Sequence, residues 1–418
     1  MPRHAQSQAL HDRRQPLPAT SWPLLAWGNG RSYGDSCQNT DGTLLLTRGL
    51  DRFIAFDTAT GVLRCEAGVT LGEILALCVP RGWFLPVTPG TQFATVGGAI
   101  ANDVHGKNHH ARGSFGDHVR SMHLRRSDGE YDVAPRDPLF AATVGGLGLT
   151  GLVTDATLQL MPVDGPWMAV ESLRFDTLDG FFALSAESSA FEYSVAWIDC
   201  AARGRQLGRG HFLRASHAPR GAAGRLPGRP LAMPVTPPVS LVNRLSLRAF
   251  NALYYHRQRR PSVRSTQHYQ PYFYPLDGIR DWNRMYGRRG FLQHQCVVPP
   301  TSARDAIPAL LTEISRSGQG SFLAVLKEFG DRAAPGLLSF ARPGTTLALD
   351  FPRSAAAFAL LDRLDAIVGE AGGALYPAKD ARMSPQLFRA GFPALDAFVP
   401  HIDPAFSSSF WRRVMETP

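Results

Sequence analysis

No stretch of this chain reaches the roughly twenty apolar residues that a membrane-spanning helix needs. The first segment, Met1–Trp22, is polar, carries Arg3, Arg13 and Arg14, and lacks the apolar core of a secretory leader. The expectation is a cytoplasmic protein, with contact to the inner membrane surface as its one route to a bilayer. Cysteine is scarce. Cys37, Cys65, Cys78, Cys200 and Cys296 are odd in number, scattered and free of any C-x-x-C pair. That excludes a disulfide framework and reads as small buried hydrophobes in a reducing compartment. Acidic residues are absent from 201–276, where thirteen arginines stand. With +13 there and +9 overall, the rest of the chain is −4, so the basic character is local. This points to a local anionic partner and away from a nucleic-acid binder.

What is present suits two domains: 418 residues, 44% hydrophobic, with 40 glycines and 32 prolines for many tight turns. Thr43–Leu46, Arg52–Phe56, Val62–Ala67 and His118–Arg125 read as strands, and Leu71–Cys78 as a helix closed by Pro80 and Gly82. Leu149–Met161 reads as an apolar strand pair. The texture changes near Pro162, and 166–200 alternates apolar and polar positions. Residues 203–238, rich in Arg, Gly, Ala and Pro, read as a mobile loop. Leu241–Tyr254 follows with helical spacing of Leu241, Leu245, Ala249 or Phe250, and Leu253; together they make a mobile arginine-rich segment, 203–260. Phe291–Val298, Ser321–Phe329 and Thr346–Phe351 read as strands, and Ala303–Ser315 and Ala355–Ala371 as helices. No internal repeat is found.

Three glycine-rich motifs carry chemistry. Gly28-Asn29-Gly30-Arg31-Ser32-Tyr33-Gly34-Asp35 exposes successive backbone N–H groups, a nest for phosphate oxygens. It lacks the ending of a Walker A loop, and its third glycine is one residue late for the dinucleotide fingerprint. Pro89-Gly90-Thr91 leads to Thr95-Val96-Gly97-Gly98, on which a pyrophosphate can lie, and on through Asn102-Asp103-Val104-His105 to Asn108. His105 and His109 have metal-like spacing, but Gly106 and Asn108 oppose a helix there, so no metal is expected. The third motif is Thr143–Gly151.

The order of these motifs resembles the FAD-binding fold of the vanillyl-alcohol oxidase family. Within it the likeness is greatest to the branch that oxidises a polyprenyl-phosphoryl ribose. It rests on R-S-Y-G-D, G-G-A-I-A-x-D-x-H-G-K-N-H-H, G-S-F-G-x-H-V-R-S-M and A-T-V-G-G-x-G-L-T-G. It continues through Trp282–Gly287, Gly290–Gln293, Asp350–Pro352 and Tyr376–Arg382. The resemblance implies an α+β, two-domain architecture. Residues 1–165 would bind FAD, 166–373 would form a substrate domain on an antiparallel sheet, and 374–418 would return to the FAD domain. It implies that FAD is held by the two Gly-rich segments above together with Val153 and Tyr376. Tyr33 stands where many relatives carry the histidine that bonds FAD, which implies non-covalent binding. Ala348 and Thr346 stand where that branch has Cys and Asn, leaving the exact sugar and lipid open.

Oxidising a secondary alcohol on flavin needs a base for the hydroxyl proton and a positive group to hold substrate or reduced flavin. The resemblance puts Lys379 in that role, with Tyr33 and His105 beside the ring. Lys327 suits a phosphate, Gln293 and Tyr274 offer hydrogen bonds, and Phe329 lines the substrate site. The implied reaction is oxidation of the 2′-hydroxyl of a polyprenyl-phosphoryl-β-D-ribose to a 2′-keto sugar. A short-chain dehydrogenase/reductase would complete epimerisation to arabinose. The arginine-rich segment would meet anionic lipid. Two rivals remain open on the residues: a soluble alditol or sugar-lactone oxidase using oxygen, and a flavin-free protein that binds lipid or sugar phosphates.

Overall fold

Turn-rich sequence in the first 165 residues builds two small sheets and a two-stranded pair. The computed structural model describes residues 5–224 and 226–415, so Arg3 and Arg225 lie outside the described residues. Gln6–Ala9, Thr43–Leu46 and Leu24–Trp27 pair in parallel in that spatial order. Five antiparallel strands follow: Phe53–Asp57, Val62–Glu66, Leu152–Gln159, Val119–Arg126 and Gly129–Val133. The helix Leu71–Cys78 begins in a capping box, with the Thr70 side chain accepting from Glu73 N–H while the Glu73 carboxylate accepts from Thr70 N–H. The expected strand pair at 149–161 is one long strand, Leu152–Gln159. The two-residue strand Met161–Pro162 then pairs with Trp83–Phe84 instead of folding back. No Gly, Asn or Asp follows Asp155 to make a hairpin turn in that run, so the chain passes on to another sheet.

The second half is built on an eight-stranded sheet. Its order is Ser262–His268, Trp167–Phe175, Gly210–His217, Tyr193–Ile198, Val325–Phe329, Gly344–Pro352, Phe291–Val298 and Ala374–Leu375, antiparallel throughout. The two-residue period of a strand decides what each face carries. Ile198, Phe212, Leu326, Leu347, Leu349 and Val298 point to one face. There they form the main core with the helices Leu178–Glu187, Pro300–Ser317 and Ala355–Glu370. Their neighbours Trp197, Leu213, Val325, Lys327, Thr346, Ala348, Gln293 and Gln295 line a cavity.

One expectation about 203–260 is corrected. Gly210–His217 is not loop but a strand inside the large sheet, paired on both edges. Its alternation is hidden by the flanking Arg, Gly and Pro. The helix runs Arg244–His256, and its buried stripe is Leu247, Asn251 and Tyr255. Leu245, Ala249 and Leu253 face outward. Polar bonds hold the inner face: Asn251 donates to Asp199 at 3.1 Å, Tyr255 OH bonds Asp176, and His211 meets the carbonyls of Tyr254 and Tyr255 at 3.2 and 3.1 Å.

The last forty-five residues touch both halves. Ala374–Leu375 is an edge of the large sheet, and Phe388, Phe392 and Phe410 enter its core. Leu24 bridges to Phe406, and Arg413 forks onto Asp35 at 2.7 and 2.8 Å and reaches Asp380 at 2.9 Å.

Candidate active site

The cavity, about 870 Å³, lies between the glycine-rich loops and the open face of the large sheet. It is at the upper end of the range for ligand pockets, ~300–1,000 Å³. Gly28, Asn29, Gly30, Arg31, Ser32 and Tyr33 line it, as do Gly90, Thr91, Thr95, Gly97 and Gly98. The helix Val96–Ala101 starts there because the Thr95 hydroxyl accepts from Gly98 N–H at 3.2 Å. Close approach dictates glycine at two positions. A Cβ on Gly28 would stand 2.3 Å from Thr95 Oγ1, and Gly30 has φ +58°. Asn102, Val104, His105, Val153 and Tyr376 also line the cavity, together with Leu147, Gly148 and Gly151 of the third motif.

Seven expected site residues do not reach the cavity, and each has a structural task behind its wall. A Cβ on Gly34 would lie 1.3 Å from the Asp380 carbonyl oxygen, so Gly34 permits the contact between loops 28–35 and 376–383. Asp35 is paired with Arg413. Val96 is core. Asp103 accepts from Gly116 N–H at 2.9 Å and Ser339 Oγ–H at 2.5 Å. Asn108 donates to the Pro86 carbonyl at 2.8 Å. The Tyr274 hydroxyl is 2.6 Å from Thr88 Oγ1. Phe329 packs edge-on to His105, ring centroids 4.9 Å apart.

The remaining expected residues converge at one end. The Lys379 ammonium lies 4.0 Å from the centre of the Tyr33 ring. Burial pulls its pKa down, and the Asp350 carboxylate opposes that shift. Asp350 itself is 2% exposed, accepts from Gln293 Nε2–H at 2.6 Å, and is pushed above the ordinary carboxylate range by burial. The register makes this bond, since Gln293 and Asp350 are direct partners across their two strands. Burial and then Asp350 raise the Tyr33 hydroxyl, which stays protonated. Gln295 donates to His105 Nε2 at 2.9 Å. Burial first, then Lys327, His109 and Lys379, keep His105 neutral, and the bond from Gln295 to Nε2 leaves its proton on Nδ1. Lys327 donates to the Gly106 carbonyl at 2.8 Å.

A model of an FAD-binding domain matches residues 10–133. Decaprenylphosphoryl-beta-D-ribose oxidase of Mycolicibacterium smegmatis is 37% identical over 415 aligned residues, covering 94% of this chain and 89% of that protein. The chain belongs to this oxidase's family. An uncharacterised Streptomyces coelicolor protein encoded 5′ of mprA is 38% identical, covering 83% of this chain and all of that protein. An alditol oxidase of a Streptomyces species is 29% identical over only 34% of this chain. The cavity's own features fit FAD. Gly90 lines it, and a Cβ there would meet no protein atom within 4 Å, so it leaves space a side chain would fill. Ser36 Oγ, His105 Nδ1, Tyr272 OH and Gln293 Oε1 are buried on its wall without partners. Such atoms cost about 1–3 kcal/mol each unless a polar ligand meets them.

Two residues escaped the sequence reading as site residues. Asp350 was legible only as part of a Leu-Asp-Phe-Pro likeness. Lys107 sits inside a quoted motif, and its signal was compositional. The chain has three lysines among 44 basic residues, and all three, Lys107, Lys327 and Lys379, line this cavity.

Proposed function

We propose that this chain uses FAD to oxidise the 2′-hydroxyl of a polyprenyl-phosphoryl-β-D-ribose to the 2′-keto sugar. The observation that carries the reading is the convergence of Lys379, Tyr33, Gln293 and Asp350 at one end of a cavity whose other walls are the glycine-rich loops. The family similarity over 94% of the chain supports it, because it spans both the FAD-binding segment and the sheet face. When bound, FAD supplies the acceptor for the hydride from the carbinol carbon. Lys379 takes the hydroxyl proton at Nζ, which its lowered pKa suits. Asp350 holds the proton balance of that lysine, and Gln293 fixes Asp350. Neutral His105, held by Gln295, orients the ring side without adding charge. Tyr33 in place of a linking histidine supports non-covalent FAD.

In this reading residues 1–165 hold FAD and 166–373 hold the sugar, with 374–418 joining them. A short-chain reductase takes the keto product on to arabinose. No helix among the described residues is long and apolar enough to cross a membrane. Peripheral contact through the outward face of Arg244–His256 brings the cavity to its lipid, since Tyr254 and Arg257 from this helix and its end line the cavity. The test is mass spectrometry of the product from polyprenyl-phosphoryl ribose, where loss of two hydrogens at C2′ is expected. Oxidation of free alditols with release of hydrogen peroxide, and no reaction with the lipid-linked sugar, would overturn it.

A further inference from the structure

The other permanent cations of this chain are arginines, many of them paired with carboxylates. Among the described residues every ion pair within 4.0 Å is made by Arg or His. Lysine is used three times, always on the cavity wall and never with a carboxylate at that distance. Lys379 has Asp350 as an electrostatic neighbour. Lys107 and Lys327 have none.

What these two do have is a set of carbonyls and rings. The Lys107 ammonium bonds the Tyr272 carbonyl and lies 4.2 Å from that ring's centre. The Lys327 ammonium bonds the Gly106 carbonyl and lies 5.3 Å from the Phe329 ring centre. An ammonium has three donors, so each keeps donors that no protein acceptor takes. The pair is also fixed in place. Lys327 grips Gly106, the residue before Lys107, and Ser194 N–H donates to the Lys107 carbonyl at 2.8 Å. The loop that carries one lysine is thus tied to two strands of the sheet that carries the other.

We infer that Lys107 and Lys327 form a two-ammonium anion site on the cavity wall, built for the phosphodiester of the substrate. The identity of that anion rests on the proposed function; the site itself rests on the two unpaired lysines. Their electrostatics agree. Each is lowered to about 7, Lys107 by burial and Lys327 by burial first and then by Lys107 and Lys379. An arginine would stay charged and would cost more to bury empty, whereas a lysine sheds its proton until an anion arrives. Binding an anion therefore raises both pKa values, and near pH 7.5 the protein takes up protons as it binds.

The test is calorimetric titration of the FAD-loaded protein with farnesyl phosphate at pH 7.5, in buffers of different ionisation enthalpy, with uncharged farnesol as control. Proton uptake is expected with farnesyl phosphate and none with farnesol. Lys107→Met should weaken farnesyl phosphate by on the order of tenfold to a hundredfold, as for hydrogen bonds to a charged group, and leave farnesol unchanged. Lys107→Arg should keep the affinity with less proton uptake. Unchanged affinity and uptake in Lys107→Met would overturn the inference. So would loss of flavin from that variant, which would assign the lysine to the cofactor. Uptake on farnesyl phosphate by a wild-type protein that makes no keto product would support the anion site and sink the proposed reaction.

Discussion

Adsorption to anionic vesicles is the sharpest prediction of the outward face of the helix Arg244–His256. Its outward face carries Leu245, 80% exposed, and Leu253, 74% exposed. Arg244, Arg248, Arg257, Arg259 and Arg260 are exposed on it and just after it, none with a carboxylate within 4.0 Å among the described residues. A basic residue near an anionic surface contributes roughly 1 kcal/mol. Three engaged arginines then favour anionic over neutral vesicles by about 3 kcal/mol, on the order of a hundredfold. The two leucines, partly buried at the interface, add about 1 kcal/mol each, below the ~1.5–3 kcal/mol of full burial. Co-sedimentation at low and high salt separates the two parts. The preference for anionic lipid should fade as the Debye length falls from about 10 Å at 0.1 M to about 3 Å at 1 M, leaving an apolar remainder. Leu245→Ser with Leu253→Ser should remove that remainder, and Arg248→Gln with Arg257→Gln most of the charge preference. Deleting 203–260 is unsuitable, because it removes the strand Gly210–His217. If the intact protein ignores anionic vesicles at low salt, or the four-fold variant binds equally well, the outward face has another purpose.

Three other outcomes are expected. Lys379→Met should keep its flavin and fold yet lose turnover by at least about a hundredfold, the scale of a positioned acid or base; steady-state and flavin-reduction kinetics check this. Because burial lowers Lys379, the wild-type rate should rise with pH below the range of an ordinary lysine, and this limb should vanish in the same variant. Acid precipitation should leave all yellow colour in the supernatant, since Tyr33 provides no linkage. Gly34→Ala should lower the melting temperature and shed flavin, because its Cβ meets backbone, the Asp380 carbonyl, which cannot swing aside; overpacking of this kind costs about 1–3 kcal/mol or more.

Much of the fold was legible where period and punctuation agree. Phe291–Val298, Leu71–Cys78 and Thr43–Leu46 fall where expected, because each is a run bounded by turn residues and Leu71, Ile74, Leu75 and Cys78 recur at helical spacing. Gly210–His217 was not legible. It lies inside a segment whose composition reads as loop, and only pairing with Trp167–Phe175 and Tyr193–Ile198, both earlier in the chain, makes it a strand. The helix Arg244–His256 was found from its apolar spacing, but the residues of its buried face were not. Here Asn251 and Tyr255 bury by bonding Asp199 and Asp176, partners that no local pattern reveals. The site divides similarly. Residues whose backbone faces the cavity announced themselves as glycine runs, whereas Gly34, Asp35 and Asp103 belong to the same motifs for reasons of packing.

The confinement of lysine to the cavity gives the protein an internal reporter. Apart from the chain's α-amino group, its primary amines are those of Lys107, Lys327 and Lys379, and burial lowers all three, so that a larger share is neutral and nucleophilic near neutral pH than for an ordinary lysine. An amine-directed reagent small enough to enter would therefore modify the site and spare the arginine-covered exterior. Reductive ¹³C-methylation would place spectroscopic labels around the reacting atoms, one set per lysine, without a single mutation, and their chemical shifts would follow each group's protonation as ligands come and go.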